Sequence, residues 1–236
     1  AALLAPAAMA DREAGRQGAA AQKTLFLAEA RLAQGPAPEE LAAVEKLVSG
    51  SGDETILLPA ARLYLSAGRE PEALALADRL AARLEPDPRA YALLVRGEAA
   101  LVRGVPREAI PLLRESIGIA DTWLGRFLLA RACVETEAWV EAHSELDLLL
   151  ERRGEAAALF LDEVPTFRHF PPVHYYLGRV EEALGNASAS ASYRTFLEIK
   201  AKADPGAPLV AEARERVSRS AASARAETTG DRPPRS

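Results

Sequence analysis

Side chains able to do covalent chemistry are sparse in this chain. Cys133 is the single cysteine, and His143 follows on the opposite arm of what reads as a helix-turn-helix. A thiol becomes a nucleophile when a neighbouring base keeps it as the thiolate, and such a pair also needs an orienting group and a cleft. A small buried cysteine at a packing position is the commoner use of the residue, so no catalytic residue is assigned. His169 and His174 have Pro171-Pro172 between them and fit no zinc spacing, so no metal site is expected. The glycine-rich run SGSGDE at Ser49 to Glu54 follows no strand and reads as an interhelical turn, with Asp53 or Ser51 capping the next helix. The adjacent carboxylates Glu181-Glu182 and Asp162-Glu163 read as solvated surface. GxxxxGK[ST], HExxH and GxSxG are all missing. The expectation is a protein that is not an enzyme and carries no cofactor.

The elements that position these residues read as helices. Apolar residues make up 49% of the 236-residue chain, yet aromatics only 6%, and Ala and Leu carry the remainder, a balance that favours helix over sheet. A net charge of -5 and the lack of any basic block argue against a nucleic-acid surface. The chain holds no span of about 20 apolar residues, so no membrane span is expected. Ala8-Met9-Ala10 has the small-x-small form of a leader cleavage site, but no charged segment precedes it. Residues 1–20 contain Gly15 and Gly18, are weakly periodic and read as a loose lead-in or linker.

A repeat organises the rest. Gly35, Gly68, Gly104, Glu137 and Gly185 stand thirty-three, thirty-six, thirty-three and forty-eight residues apart. Seven residues before each lies a small residue: Ala28, Ala61, Gly97, Ala130 and Gly178. Five residues after them come Glu40, Ala73, Ala109, Ala142 and Ser190. This spacing resembles the tetratricopeptide repeat, a 34-residue helix-turn-helix with a small residue at its eighth position, Gly at the fifteenth and Ala at the twentieth. Tyr64 takes the aromatic eleventh position, Arg31, Ala100, Cys133 and Glu181 replace it elsewhere, and Pro86 or Pro88 falls near the end of its repeat. The resemblance implies an all-α, right-handed superhelical solenoid over residues 21–220. It comprises five hairpins and a capping helix built on Leu209, Val210, Ala213 and Val217. Residues 221–236 read as a disordered tail.

In that register two rows face the concave side. Fifth positions are apolar (Leu25, Leu58, Leu94, Phe127, Tyr175) and ninth positions are charged (Glu29, Arg62, Glu98, Arg131, Arg179). One reading is an amphipathic groove for a partner's helix or extended segment, lined by Leu58, Arg62, Leu94, Glu98, Phe127, Arg131, Tyr175, Tyr176 and Arg179. The other is that the apolar row packs against the next helix while the charges pair with one another. Chaperone-binding members of the family hold a terminal carboxylate with Lys and Asn, and Leu58 and Arg62 stand at the first two of those places, which speaks against that mode.

The long interval holds an insertion, residues 159–172, with Phe160, Phe167 and Phe170. Seven of the thirteen aromatic residues lie between Phe160 and Phe196. This segment reads either as a rigid aromatic platform for a partner or as a plug across the gap. Leu128 to Asp204, including HYYLGRVEEALGN, resembles the tetratricopeptide region C-terminal to kinase domains in bacterial multidomain signalling proteins, although neither HRD nor DFG occurs here. The expected function is a scaffold binding a protein or peptide, as the regulatory region of such a protein in the cytoplasm. An exported envelope-assembly adaptor in the periplasm is the alternative. Oligomeric state is left open.

Overall fold

The computed structural model describes residues 3–155, 169–202 and 209–229, for 221 and 223–229 by backbone alone. Among the described residues there are twelve α-helices and no strand, in agreement with the all-α expectation. The chain divides into two units, Ala1–Asp121 and Thr122–Ser236. The first holds α1 (Leu4–Glu13), α2 (Gln17–Leu32), α3 (Pro38–Ser49), α4 (Glu54–Ser66), α5 (Glu70–Ala81), α6 (Pro86–Val102) and α7 (Pro106–Ile119). The second holds α8 (Trp123–Glu135), α9 (Trp139–Glu151), α10 (Pro171–Ala183), α11 (Ala189–Ile199) and α12 (Val210–Thr229). Within each unit every helix packs on its neighbour in sequence. The first helices of successive hairpins also touch: α2 with α4, α4 with α6, and α8 with α10.

The turns explain why these helices fold back. Gly68, Gly104 and Gly185 have φ of 72°, 76° and 73°, the left-handed region in which glycine carries no Cβ penalty. In each, the amide one residue later reaches back to a carbonyl in the helix's last turn: Arg69 to Tyr64 at 2.8 Å, Val105 to Ala100 at 3.0 Å, Asn186 to Glu181 at 2.8 Å. Glu137 adopts the same conformation, φ 62°, and Ala138 donates to the Cys133 carbonyl at 2.8 Å. The fourth turn therefore keeps the geometry without the glycine. Gly35 is the exception, with φ 145° and a longer link from Leu32 to Pro38.

Residues 1–20 are not a loose lead-in. Of these, Leu4–Glu13 form α1 and Gln17 opens α2, and the turn between the two helices repeats the pattern, with Gly15 at φ 74° and Arg16 donating to the Asp11 carbonyl at 2.8 Å. Ala8 and Ala20, seven before and five after Gly15, are both buried. Asp11 is buried too, in an ion pair with Arg16 at 2.6 Å and another with Lys23. Hydrogen bonds from Lys23 and then Arg16 hold its carboxyl below the usual range. At the other end α12 continues to Thr229, past the boundary expected near 220; residues 230–236 lie outside the described residues. Pro86 and Pro88 open α6 rather than closing the preceding hairpin, as suits a residue with fixed φ and no N–H.

The small eighth-position residues are all buried, and at two of them the crossing is tight. A Cβ on Gly97 would stand 2.7 Å from Leu113 Cγ, and one on Gly178 would stand 2.8 Å from the Tyr193 ring. Pro59 lies inside α4 and leaves the Thr55 carbonyl without its helical donor; Gln22 Nε2 of α2 supplies one at 3.1 Å.

Two stability predictions follow from these turns and bonds. Gln22→Met should destabilise by about 1 kcal/mol in denaturant titration, because it strands a half-buried carbonyl. Pro59→Ala restores the helical N–H, so the same change in that background should cost much less; equal costs would disprove the coupling. Glu137→Gly should raise stability by about 1 kcal/mol, the penalty of a side chain in the left-handed region.

Candidate partner-binding surface

The apolar anchors expected along a groove are core residues. Leu25, Leu58, Leu94, Phe127 and Tyr175 are all under 9% exposed, and Tyr176 sits at 9%. First helices pack against one another through these positions, so the side chains fill the layer between them instead of lining an open face. In the second unit the filling is aromatic. Trp123 stacks on Phe127 at 5.6 Å, Phe127 meets Tyr176 edge-on at 5.9 Å, and Tyr176 meets Tyr175 at 5.2 Å. Tyr175 then contacts Tyr193 at 6.0 Å and Phe196 at 5.8 Å. Trp123 Nε1 donates to the Leu149 carbonyl at 3.2 Å, which ties α8 to the end of α9. Of the insertion, Phe160 and Phe167 lie outside the described residues, and Phe170 packs its ring against His174 at 5.2 Å. Burial lowers the His174 pKa.

The charged row behaves differently in the two units. On α4 and α6, Arg62 grips Glu98 with two bonds, Nε to Oε2 at 2.8 Å and NH2 to Oε1 at 3.1 Å. Burial opposes the Arg62 charge, but Glu98, joined by Glu29, outweighs it and holds the guanidinium pKa above its ordinary value. Arg62 and Glu98 thus neutralise each other, with the Glu29 carboxylate acting on Arg62 as a weaker additional charge. On α8 and α10 the ninth positions are Arg131 and Arg179, both half-buried. Arg131 Nε is closed off from solvent and has no acceptor among the described residues.

Beyond α11, Arg216 of α12 reaches Glu182 at 2.5 Å and Glu212 at 2.7 Å, above the Tyr193 ring. Tyr193 also donates to Glu182, at 2.9 Å. Burial works against both charges, yet the Arg216 and Tyr193 bonds keep the Glu182 pKa low and the paired carboxylates keep that of Arg216 high. Val210 and Ala213 are buried beside this network, so α12 is docked along its first turns.

Glu181, expected on the solvated surface, is buried at 7% exposure. Its oxygens accept from Ser188 and Ser192, each at 2.6 Å. The carboxylate stands at the aromatic eleventh position and draws two hydroxyls from α11 and its approach. No pattern in the sequence marks that trio, nor Gln22 with Thr55, because each joins residues through tertiary contact. The Ala8, Gly15 and Ala20 spacing was readable, and its signal was the same interval seen at Gly104.

The remaining chemistry resolves as structure. Cys133 is fully buried. His143 is half-exposed, its Nδ1 2.9 Å from Asp147, in an open cleft of about 410 Å³ lined by Val140, Ser144, Asp147, Leu184 and Asn186. Asp53 caps α4 by accepting from the Thr55 amide at 2.9 Å, while Arg79 donates to the Ser51 carbonyl and Arg83 to the Gly52 carbonyl of the glycine-rich run, Arg79 also bonding the Val48 carbonyl just before it at 2.9 Å. That loop presents carbonyls to cations, the reverse of a phosphate cradle. Among the described residues no cluster of His, Cys, Asp and Glu could hold a metal ion, and no helix is long and apolar enough to cross a membrane. No family model matches the chain, and no curated protein matches it.

Native iodoacetamide should leave Cys133 unmodified, with stoichiometric labelling once the chain is unfolded. Rapid native labelling would mean that α8 and α9 part readily enough to expose the thiol.

Proposed function

We propose that the chain is a protein-interaction scaffold of the tetratricopeptide-repeat kind, the partner-binding and regulatory region of a larger bacterial signalling protein. The observation that carries the reading is the recurrence of one turn. Gly15, Gly68, Gly104, Glu137 and Gly185 share a positive φ and the same backward hydrogen bond. Each follows, by seven residues, a small buried residue at the helix crossing. A hairpin this short cannot bury its own apolar stripe, so it is stable through its neighbours, and the product of stacking is an extended first-helix face. Such faces recognise partners by surface, without a reacting group, and the burial of Cys133 and the capping role of Asp53 fit that use.

Photo-crosslinking tests the reading. p-Benzoylphenylalanine replaces Glu135 or Ala183, exposed positions on the first helices α8 and α10, and separately Glu115 or Arg194, exposed positions on the second helices α7 and α11. The expected result is one discrete adduct shared by the two first-helix positions and missing from the other two. Adducts of equal yield from all four positions, or none from Glu135 and Ala183, would overturn it.

A further inference from the structure

Two cations share the α8–α10 layer without an anion between them. Among the described residues neither Arg131 nor Arg179 has an ion-pair partner. Arg179 does feel the Glu212 carboxylate, but Arg216 and Tyr175 already hold that group. In the first unit the equivalent arginine, Arg62, is gripped by two bonds to Glu98. The contrast lies at one register position of the same kind of helix.

Phe127 and Tyr176, in ring contact at 5.9 Å, lie four and three residues before the two arginines, so α8 and α10 carry Arg131 and Arg179 side by side, one turn further on. The half-buried setting weakens screening, and a guanidinium there presents a rigid fork matched to a carboxylate. The Arg131 Nε–H is shut away from water and has no acceptor among the described residues, so nothing there compensates the cation of which it is part.

We propose that Arg131 and Arg179 form a two-cation site for the carboxylates of an acidic, extended segment of a protein partner. The proposal rests on the scaffold reading above. Neighbouring helix axes stand about 8–10 Å apart, and an extended chain advances about 3.3 Å per residue, so acidic residues two or three apart in the segment match the two forks. A nucleic-acid strand is the poorer fit, since it needs a longer track of cations than two arginines in a chain of net charge -5. An arginine retained for the fold would be paired as Arg62 is. Arg131→Gln should therefore leave the melting temperature of the free chain unchanged or higher.

The probe is a fluorescein-labelled peptide of alternating Glu and Gly, read by fluorescence anisotropy against its Gln counterpart on the full chain. The Glu peptide should bind, the Gln peptide should not, and added salt should weaken binding. Arg131→Gln and Arg179→Gln should each weaken it about tenfold or more, whereas Arg96→Gln, at an exposed ion pair on α6, should stay within about twofold. Arg131→Lys keeps the charge but loses the fork and should fall between. Equal binding of the two peptides, no binding of either, or equal losses in Arg96→Gln would overturn the site. So would a stronger, arginine-dependent preference for a thymidine oligonucleotide, or a dimer in sedimentation that Arg131→Gln dissolves. If the crosslinks from Glu135 and Ala183 persist while the Glu peptide fails, the acidic-segment site falls and the scaffold stands; if the crosslinks vanish, the scaffold falls.

Discussion

At the eighth position two of the hairpins bring their helices into near-contact, and much else depends on it. At Gly97 and Gly178 the partner helix lies where a Cβ would be, 2.7 Å from Leu113 Cγ or 2.8 Å from Tyr193. Ala28, Ala61 and Ala130 hold the same place fully buried. A crossing this close brings the two backbones together within a few residues of the turn, so the chain must reverse tightly. The positive φ and the backward hydrogen bond are the way it does so. Glu137 shows the order of priority. A side chain is tolerated in the left-handed region there because the surrounding packing, with Cys133, Ala142 and Leu146 all buried, fixes where the chain must go.

Tight crossings expose a second constraint, since helix ends, interior prolines and acidic substitutions leave polar groups in places where water does not reach. The fold answers several of them with a local partner. Gln22 serves the carbonyl that Pro59 frees, Ser188 and Ser192 serve Glu181, and Arg216 and Tyr193 serve Glu182. These answers come from neighbouring helices, so they also fix which helix lies against which. Buried polar groups met in this way specify a packing arrangement more than they add net stability.

The repeat was legible because its signals are short-range. Gly68, Gly104 and Gly185, with a small residue seven before, can be read along one strand of text. The same rule extends to Ala8, Gly15 and Ala20, where a second glycine, Gly18, and weak periodicity mask the repeat and suggest a linker. The candidate site was much less legible. Which side of a row of Leu, Phe and Tyr is covered depends on how neighbouring first helices meet, and that is a tertiary fact. Phe127 and Tyr175 look alike whether they anchor a partner or fill a layer. Burial decides for the layer. Glu181 was misjudged for a related reason, because a carboxylate beside another reads as surface until its hydroxyl partners are placed.

Charge, by contrast, kept its meaning from text to structure. Glu29, Arg62, Glu98, Arg131 and Arg179 occupy one register, and the sequence alone shows that the sign alternates and then stops alternating. Geometry adds the consequence. Where signs alternate, Arg62 and Glu98 saturate each other and offer little to an outside ligand. Where two arginines follow one another, the row is left with uncompensated charge, and in Arg131 with a donor facing no acceptor. Gln22 Oε1 and the Ser190 hydroxyl also lack a partner among the described residues, so the unmet donor of Arg131 is not by itself exceptional; what sets it apart is the second unpaired guanidinium, Arg179, in the same row. A lone stranded atom is a packing cost that this fold tolerates elsewhere, whereas two like charges in adjacent helices with no anion of their own are what an acidic ligand would answer.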